Sequence, residues 1–222
     1  MSFVGPMQIS LIYGAFVALV YIETDRFVVD APMLSAVPVV VLGLMSLTVN
    51  MSLKPKLLTA LYFLIDAHGI YRISTSRFYM EWSALELAVA HLCYLISFAS
   101  LLREVWVYLA FVTLLYLFGF TYFCFADLFP SIPYLVIMLT LGAIVVSVSM
   151  VYAGSVWRYS NNFSDAKQAS LMRFGGMMLN LTCTSAFLVS QFATRKHQMV
   201  WFMNVAHYAA QLLLCLANER TF

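Results

Sequence analysis

Eight apolar runs, most of them about 20 residues long, follow one another with only short charged or proline-bearing breaks between them, and this succession restricts the fold more than any motif does. In hydrocarbon every backbone N–H and C=O needs a partner within the protein, which leaves helices or a closed barrel. The runs are continuously apolar and lack the two-residue alternation of barrel strands, so they read as helices. We place the spans at Phe3 to Ile22, Met33 to Leu53, Leu57 to Ile73, Met80 to Leu102, Val105 to Phe125, Ile132 to Trp157, Ala169 to Ala193 and Met199 to Ala217. The expected fold is all-α: an integral membrane bundle of about eight transmembrane helices forming one domain over residues 1–222.

Composition agrees. With 63% hydrophobic and 10% charged residues and a mean hydropathy of +0.89, the chain has too few polar side chains to cover a water-soluble globule. The net charge of +2 is scattered, with no basic stripe, which argues against nucleic acid as a partner and leaves the bilayer as the main one. Cys93, Cys124, Cys183 and Cys215 all lie in apolar runs without a CxxC pair and read as packing residues. The first run has no basic flank or small-residue cleavage site, so it is expected to stay as a span. Breaks fall at Glu23-Thr24-Asp25-Arg26, Lys54-Pro55-Lys56 and Pro130-Ser131-Ile132-Pro133. An even span count puts both termini on one side with Lys54, Lys56, Arg103, Arg158, Lys167, Arg173 and Arg220, and Arg26, Arg72, Arg77, Arg195 and Lys196 on the other. The positive-inside rule then makes both termini cytoplasmic. The expected location is the endoplasmic reticulum or another endomembrane in a eukaryotic cell, or the inner membrane of a bacterium.

Polar groups inside the runs point to function. Asp66 sits in the third run, where a carboxylate costs roughly 2.5–3.5 kcal/mol even on a lenient insertion scale and needs a partner, a proton or a task. Tyr62 shares its face at i,i+4, whereas His68 lies about 160° round the helical wheel. The fourth run holds Glu86, His91 and Tyr94, the last two neighbours at i,i+3. The seventh aligns Asn180, Thr184 and Gln191, and the eighth aligns Asn204, His207, Tyr208 and Gln211. One buried amide or hydroxyl is ordinary helix glue, but four runs bringing carboxylate, imidazole, phenol and amide groups suggest a shared polar cavity.

Pro38 in the second run, Asp66-Ala67 in the third, His91 followed by Tyr94 in the fourth, Gly176 in the seventh and Tyr208-Ala209-Ala210-Gln211 in the eighth appear in an order that resembles the lysoplasmalogenase family of eight-span membrane proteins (YhhN-like). The resemblance implies hydrolysis of the vinyl ether bond of lysoplasmalogens, such as lysoplasmenyl-ethanolamine and lysoplasmenyl-choline, to a fatty aldehyde and a glycerophospho-base. It implies a lysophospholipid substrate, no cofactor and no metal, with Asp66 catalytic and His91, Tyr94, Tyr208 and Gln211 lining the site. Three positions depart from the family pattern: Thr184 stands where a second aspartate is expected, Ile65 where a glycine precedes the first aspartate, and Ser35 where a lysine precedes Pro38.

Vinyl ether cleavage begins with protonation of the terminal alkene carbon and creates an oxocarbenium ion that water captures. Two carboxyl groups in different environments divide these tasks, one holding the proton and the other the charge. With Thr184 unable to supply charge, Glu86 is the expected second catalytic carboxylate beside Asp66; Tyr62, Asn180, Thr184, Asn204 and His207 join the cavity lining. Two alternatives stand beside the hydrolase: a lipid-binding or regulatory relative that has lost its chemistry, and a metal-dependent lipid hydrolase using Asp66, His68, His91 and His207. A transporter is disfavoured because no run is broken by Gly or Pro in the manner of a midplane substrate site. With the termini cytoplasmic, the Asn162 sequon is expected to stay unmodified in a glycosylation-competent membrane, and an endoglycosidase-sensitive mass shift abolished by Asn162→Gln would reverse the assigned orientation.

Overall fold

The structure, a computed structural model, describes residues 5–76, 80–160, 164–192 and 198–222, apart from the side chains of Ser164, Gln198 and Met199. These residues form α1 (Pro6–Glu23), α2 (Pro32–Thr48), α3 (Leu53–Thr75), α4 (Met80–Phe98) with a 3-10 turn at Ala99–Leu101, α5 (Val107–Phe125), α6 (Pro133–Arg158), α7 (Ser164–Phe192) and α8 (Gln198–Thr221). No strand occurs among them. α1, α2 and α6 each open on proline, whose missing N–H costs nothing at a position without an intrahelical acceptor. The same logic moves one expected break. Lys54-Pro55-Lys56 lies inside the first turn of α3, and the chain turns instead at 49–52, before the helix is entered from Ser52. The start of the first span at Phe3, the end of the seventh at Ala193, Arg77, Arg195, Lys196 and Asn162 lie outside the described residues.

Among the described residues, five stretches are long and apolar enough to cross a membrane: Pro6–Glu23, Met80–Leu101, Val107–Phe125, Pro133–Arg158 and Val200–Thr221. The chain is an integral membrane protein. α5 shows why most plainly, because Tyr108, Phe111, Phe118, Tyr122 and Phe123 project from it without protein cover, a surface that water would not tolerate and acyl chains do. α2 is apolar but has 17 residues, while α3 and α7 carry charge along their length.

The three less apolar or shorter helices, α2, α3 and α7, take their places in one ring with α4, α6 and α8. α3 packs between α2 and α4; α4 meets α6, α6 meets α7, α7 meets α8, and α8 returns to α1, α2 and α3. α5 lies outside this ring, on α6 and α7. Small residues set the closest approaches: a Cβ at Gly176 of α7 would stand 2.7 Å from Leu214 Cδ2 and 3.2 Å from the Ala210 carbonyl oxygen of α8.

Away from the cavity described below, near the C-terminal end of α8, a second polar centre ties four helices together. Arg173 of α7 is fully buried, with Nη2 donating to Asn218 Oδ1 at 3.1 Å and Thr221 Oγ1 at 2.8 Å, and its guanidinium lies 4.9 Å from the Phe98 ring centre. Asn218 passes the connection on, its Nδ2 donating to Thr59 Oγ1 of α3 at 2.7 Å and Ser97 Oγ of α4 at 3.1 Å. Asn218→Leu, which removes acceptor and donor together, is expected to destabilise the folded protein by about 1–3 kcal/mol, read as a lowered midpoint of thermal unfolding in detergent.

Candidate functional site

Inside the ring lies a cavity of about 720 Å³. Its volume follows from side-chain size. α4 and α6 face one another across Ala84, Ala88, Gly142 and Ala143, and a Cβ at Gly142 would already be 3.5 Å from the Ala84 carbonyl oxygen, so these helices approach closely while leaving the centre unfilled. Leu87, Leu139, Val146, Phe187, Leu188 and Met203 add apolar wall, and Asp66, His91, Asn180, Thr184, Asn204, His207 and Tyr208 supply polar atoms. The lining continues through Ser74, Thr75 and Ser76, Gln191 and Val200, together with the segment between α1 and α2, so the mouth lies where α3 and α7 end and α4 and α8 begin.

The chemistry gathers on Asp66. It is 2% exposed, with Oδ2 3.6 Å from His207 Nε2, just outside hydrogen-bond range. Asp66 and His91 both belong to the cavity wall, and Asp66 Oδ2 and His91 Nδ1 are buried without a hydrogen-bond partner among the described residues. Beneath them runs a fixed polar floor. Asn180 Nδ2 donates to Tyr62 OH at 3.2 Å, Tyr62 OH donates to Gln211 Oε1 at 2.7 Å, and Gln211 Nε2 lies 3.4 Å from His207 Nδ1. The helical spacings read from the sequence produce this: Tyr62 and Asp66 share one face of α3, and His207 and Gln211 one face of α8, so both pairs point at the same axis.

Tyrosine hydroxyls hold α8 in register with its neighbours. Tyr13 OH donates to the Tyr208 carbonyl at 2.9 Å, Tyr208 OH to the Ser35 carbonyl at 2.9 Å, and Tyr94 OH to the Leu214 carbonyl at 3.0 Å. Tyr94 is therefore a frame residue packed 5.0 Å ring to ring against Tyr62, and Tyr62, Tyr94 and Gln211 form the floor and its support rather than the lining. His91, Asn180, Thr184, Asn204, His207 and Tyr208 line the cavity as expected from their positions. Ser35 also reaches the lining, and Ile65 faces outward.

Glu86 is not beside Asp66. Its Oε1 accepts from Arg72 Nη1 at 2.5 Å and its Oε2 lies 3.1 Å from His68 Nδ1, on the outer side of the α3–α4 pair. The wheel explains the correction: residues on α3 about 160° from Asp66 face away from the cavity, and Glu86 follows His68 there. The same separation removes His68 from the metal set considered with Asp66, His91 and His207, and among the described residues no three His, Cys, Asp or Glu side chains gather closely enough to hold a metal ion.

Sequence reasoning did not foresee the cover over the mouth. After α1, Asp25, Arg26 and Phe27 take φ values of 45°, 60° and 67°, left-handed conformations that cost about 1–2 kcal/mol per non-glycine residue. Thr24 holds the turn: its carbonyl accepts from the Val28 and Val29 N–H groups at 2.9 Å each, and its hydroxyl oxygen accepts from Phe27 N–H at 3.1 Å. The turn drives Phe27 inward, 7% exposed and 5.8 Å from the Tyr208 ring, where it lines the cavity with Thr24, Val28, Val29, Asp30 and Ala31. No glycine or asparagine in this stretch signals such a turn.

Comparison with protein-family models, curated proteins and solved structures finds no match to this chain. The cavity itself is testable without knowledge of its ligand. Thr184→Cys is expected to react with a small water-soluble thiol reagent and Ile65→Cys to resist it, and adding Phe27→Ala should speed the first reaction several-fold; equal rates at positions 184 and 65 would contradict a water-accessible cavity.

Proposed function

We propose that the chain is an intramembrane hydrolase that cleaves the vinyl ether bond of lysoplasmalogens, with all eight helices crossing the bilayer. The observation that carries this reading is Asp66: buried at the cavity wall, with an oxygen lacking a protein partner and an imidazole at 3.6 Å. A carboxyl group there is the proton donor that vinyl ether cleavage needs. It donates its proton to the terminal alkene carbon, the C–O bond becomes an oxocarbenium ion, and the new Asp66 carboxylate stands beside that cation. His207 takes a proton from the attacking water as its oxygen bonds to the cationic carbon. The resulting hemiacetal collapses to a fatty aldehyde as protonated His207 gives its proton to the departing glyceryl oxygen and the hemiacetal hydroxyl proton passes to the Asp66 carboxylate, which restores both groups. One carboxylate and one imidazole thus replace the carboxylate pair, and Thr184, on the cavity wall, is placed to orient the water. The apolar wall of Leu139, Val146, Phe187, Leu188 and Met203 suits a single lipid chain.

Inclusion of α2, α3 and α7 among the spans follows from where their polar groups go. Asp66 of α3 and Asn180 of α7 face the cavity and Arg173 of α7 is buried against α8, the inward orientation expected of intramembrane polar residues, while Lys54 and Lys56 stand at the start of α3 and Arg72 near its end. With both termini cytoplasmic, the cavity mouth opens to the opposite side of the membrane, and substrate arrives from that leaflet.

A second reading, a lipid-binding or regulatory relative without turnover, is favoured by the uncharged Thr184 and by the position of Glu86 outside the cavity. One assay separates the two. Purified protein with lysoplasmenyl-ethanolamine or lysoplasmenyl-choline is expected to release aldehyde, Asp66→Asn to release none while remaining folded and monodisperse, and His207→Gln to be slower by roughly 10²–10⁴. Glu86→Gln should leave the rate unchanged. Aldehyde from Asp66→Asn would remove Asp66 as the acid, and absence of aldehyde from the parent with substrate still bound would favour the non-catalytic relative.

A further inference from the structure

The segment between α1 and α2 is held over the cavity by opposing forces. Asp25, Arg26 and Phe27 stand at φ 45°, 60° and 67°, so three consecutive side chains bear the left-handed clash that glycine avoids. Against that strain the turn sets hydrogen bonds that stay local. Arg26 N–H donates to the Tyr21 carbonyl at 2.9 Å, Phe27 N–H to the Thr24 hydroxyl oxygen at 3.1 Å, and the Val28 and Val29 N–H groups to the Thr24 carbonyl. Among the described residues no hydrogen bond or ion pair joins residues 25–30 to a helix other than α1. The segment reaches α8 through Phe27, whose buried ring lies 5.4 Å from the Tyr21 ring and 5.8 Å from the Tyr208 ring, while Asp25, Arg26, Val28, Val29 and Asp30 are exposed. Tyr208 is a fixed counterpart, because its hydroxyl donates to the Ser35 carbonyl of α2 and its own carbonyl accepts from Tyr13 of α1. Its ring also packs edge to face on His207 at 5.7 Å, so the seat of Phe27 adjoins the Asp66–His207 pair.

We propose that residues 24–31 are a gate, closed in this structure, which opens as Phe27 leaves Tyr208 and the left-handed turn unwinds, and through which the cavity exchanges its contents. Opening exposes one aromatic ring and gives up the local hydrogen bonds, but it releases the strain of three residues, and the freed N–H groups lie where water reaches them. An unstrained turn would stay shut, and a strained one without the Thr24 bonds would stay open; strain offset by bonds confined to the segment makes closure reversible. The moving part is bounded by Thr24, whose hydroxyl donates to the Val20 carbonyl at 2.6 Å and so stays with α1, and by Ala31, from which α2 starts. Thr24, Phe27, Val28, Val29, Asp30 and Ala31 all belong to the cavity wall, so release of the stretch between the two hinges widens the mouth. The gate rests on the cavity and not on the hydrolase chemistry.

The test uses the full-length protein in detergent, carrying Cys183→Ser and Thr184→Cys and labelled with 2-sulfonatoethyl methanethiosulfonate, the modified peptide being followed by mass spectrometry. Arg26→Gly removes an exposed side chain and puts glycine at φ 60°, which favours the closed turn; labelling at position 184 is expected to slow about fivefold or more. Thr24→Val keeps the shape of the side chain and removes the oxygen that holds Phe27 N–H, and labelling is expected to quicken about fivefold. Amide hydrogen exchange is the second measurement. Exchange across residues 25–29 should slow in Arg26→Gly and quicken in Thr24→Val by similar factors, with exchange in α8 unchanged. Opposite shifts of the two variants in both measurements support the gate. Labelling that ignores both substitutions would mean that the cavity is entered elsewhere, and shifts in the same direction, or with altered exchange in α8, would mean a general loosening of the bundle. Each of these results overturns the proposal, and none involves turnover, so the hydrolase reading stands or falls separately.

Discussion

The low-dielectric interior of a helical bundle makes every polar group within it either satisfied or available, and the organisation of this protein depends on how α3, α7 and α8 meet that constraint. Tyr62, Asn180 and Gln211 satisfy one another through side-chain hydrogen bonds that join all three helices, and this fixed floor leaves Asp66 Oδ2 facing the cavity beside His207. The helices with the least membrane-like sequences are those with the most to hide. The outermost helix, α5, has almost nothing to hide and is the least buried of the five apolar stretches among the described residues.

Two polar centres on the inside divide the labour. The one formed by Arg173, Asn218, Thr59 and Ser97 lies apart from the cavity, its fully buried guanidinium giving Nη2 to α8 acceptors while Nε and Nη1 are without a hydrogen-bond partner among the described residues, and it fastens the region where α3 begins and α4 and α8 end. The one around Asp66 is open to a cavity. Between them Tyr94 packs on Tyr62 and hydrogen-bonds the α8 backbone, so the reactive end is supported by the rigid one. A site on packed helices, backed by hydrogen-bonded residues, holds its geometry better than one on loops. The strained turn at Asp25-Arg26-Phe27 is the exception, and it stands over the mouth, where a segment under strain is suited to admit or retain a ligand.

The position of Glu86 changes the chemistry open to this cavity. On the proposed hydrolase reading, the lack of a second carboxylate requires proton donor and cation stabiliser to be the same group at successive moments, with His207 as the proposed base. The resemblance to lysoplasmalogenases supplied Asp66 and His91 together with the expectation of a carboxylate pair; His207, which the helical wheel alone had put on the cavity face of α8, is the neighbour that the geometry offers.

By itself the sequence determined the class of fold and several polar members of the lining. Long apolar runs in a chain with so few charges leave helices in a bilayer as the outcome, and i,i+4 spacing is enough to put Tyr62 with Asp66, Asn180 with Thr184 and His207 with Gln211 on common faces, because side-chain direction along a helix is a local property. Arg173, a lone cation in an apolar stretch, was a signal of a buried polar centre that spacing arguments passed over. Only the tertiary structure decided which faces meet. The rotation of α4 against α3 put Glu86 with His68 and Arg72 outside and His91 inside, small residues on α4 and α6 left a hollow instead of a packed core, and the contact of Phe27 with Tyr208 accompanied three left-handed residues that no local preference favours. Each of these depends on helix packing between segments distant in the chain, and the energies involved belong to the pair of surfaces in contact and to neither sequence alone.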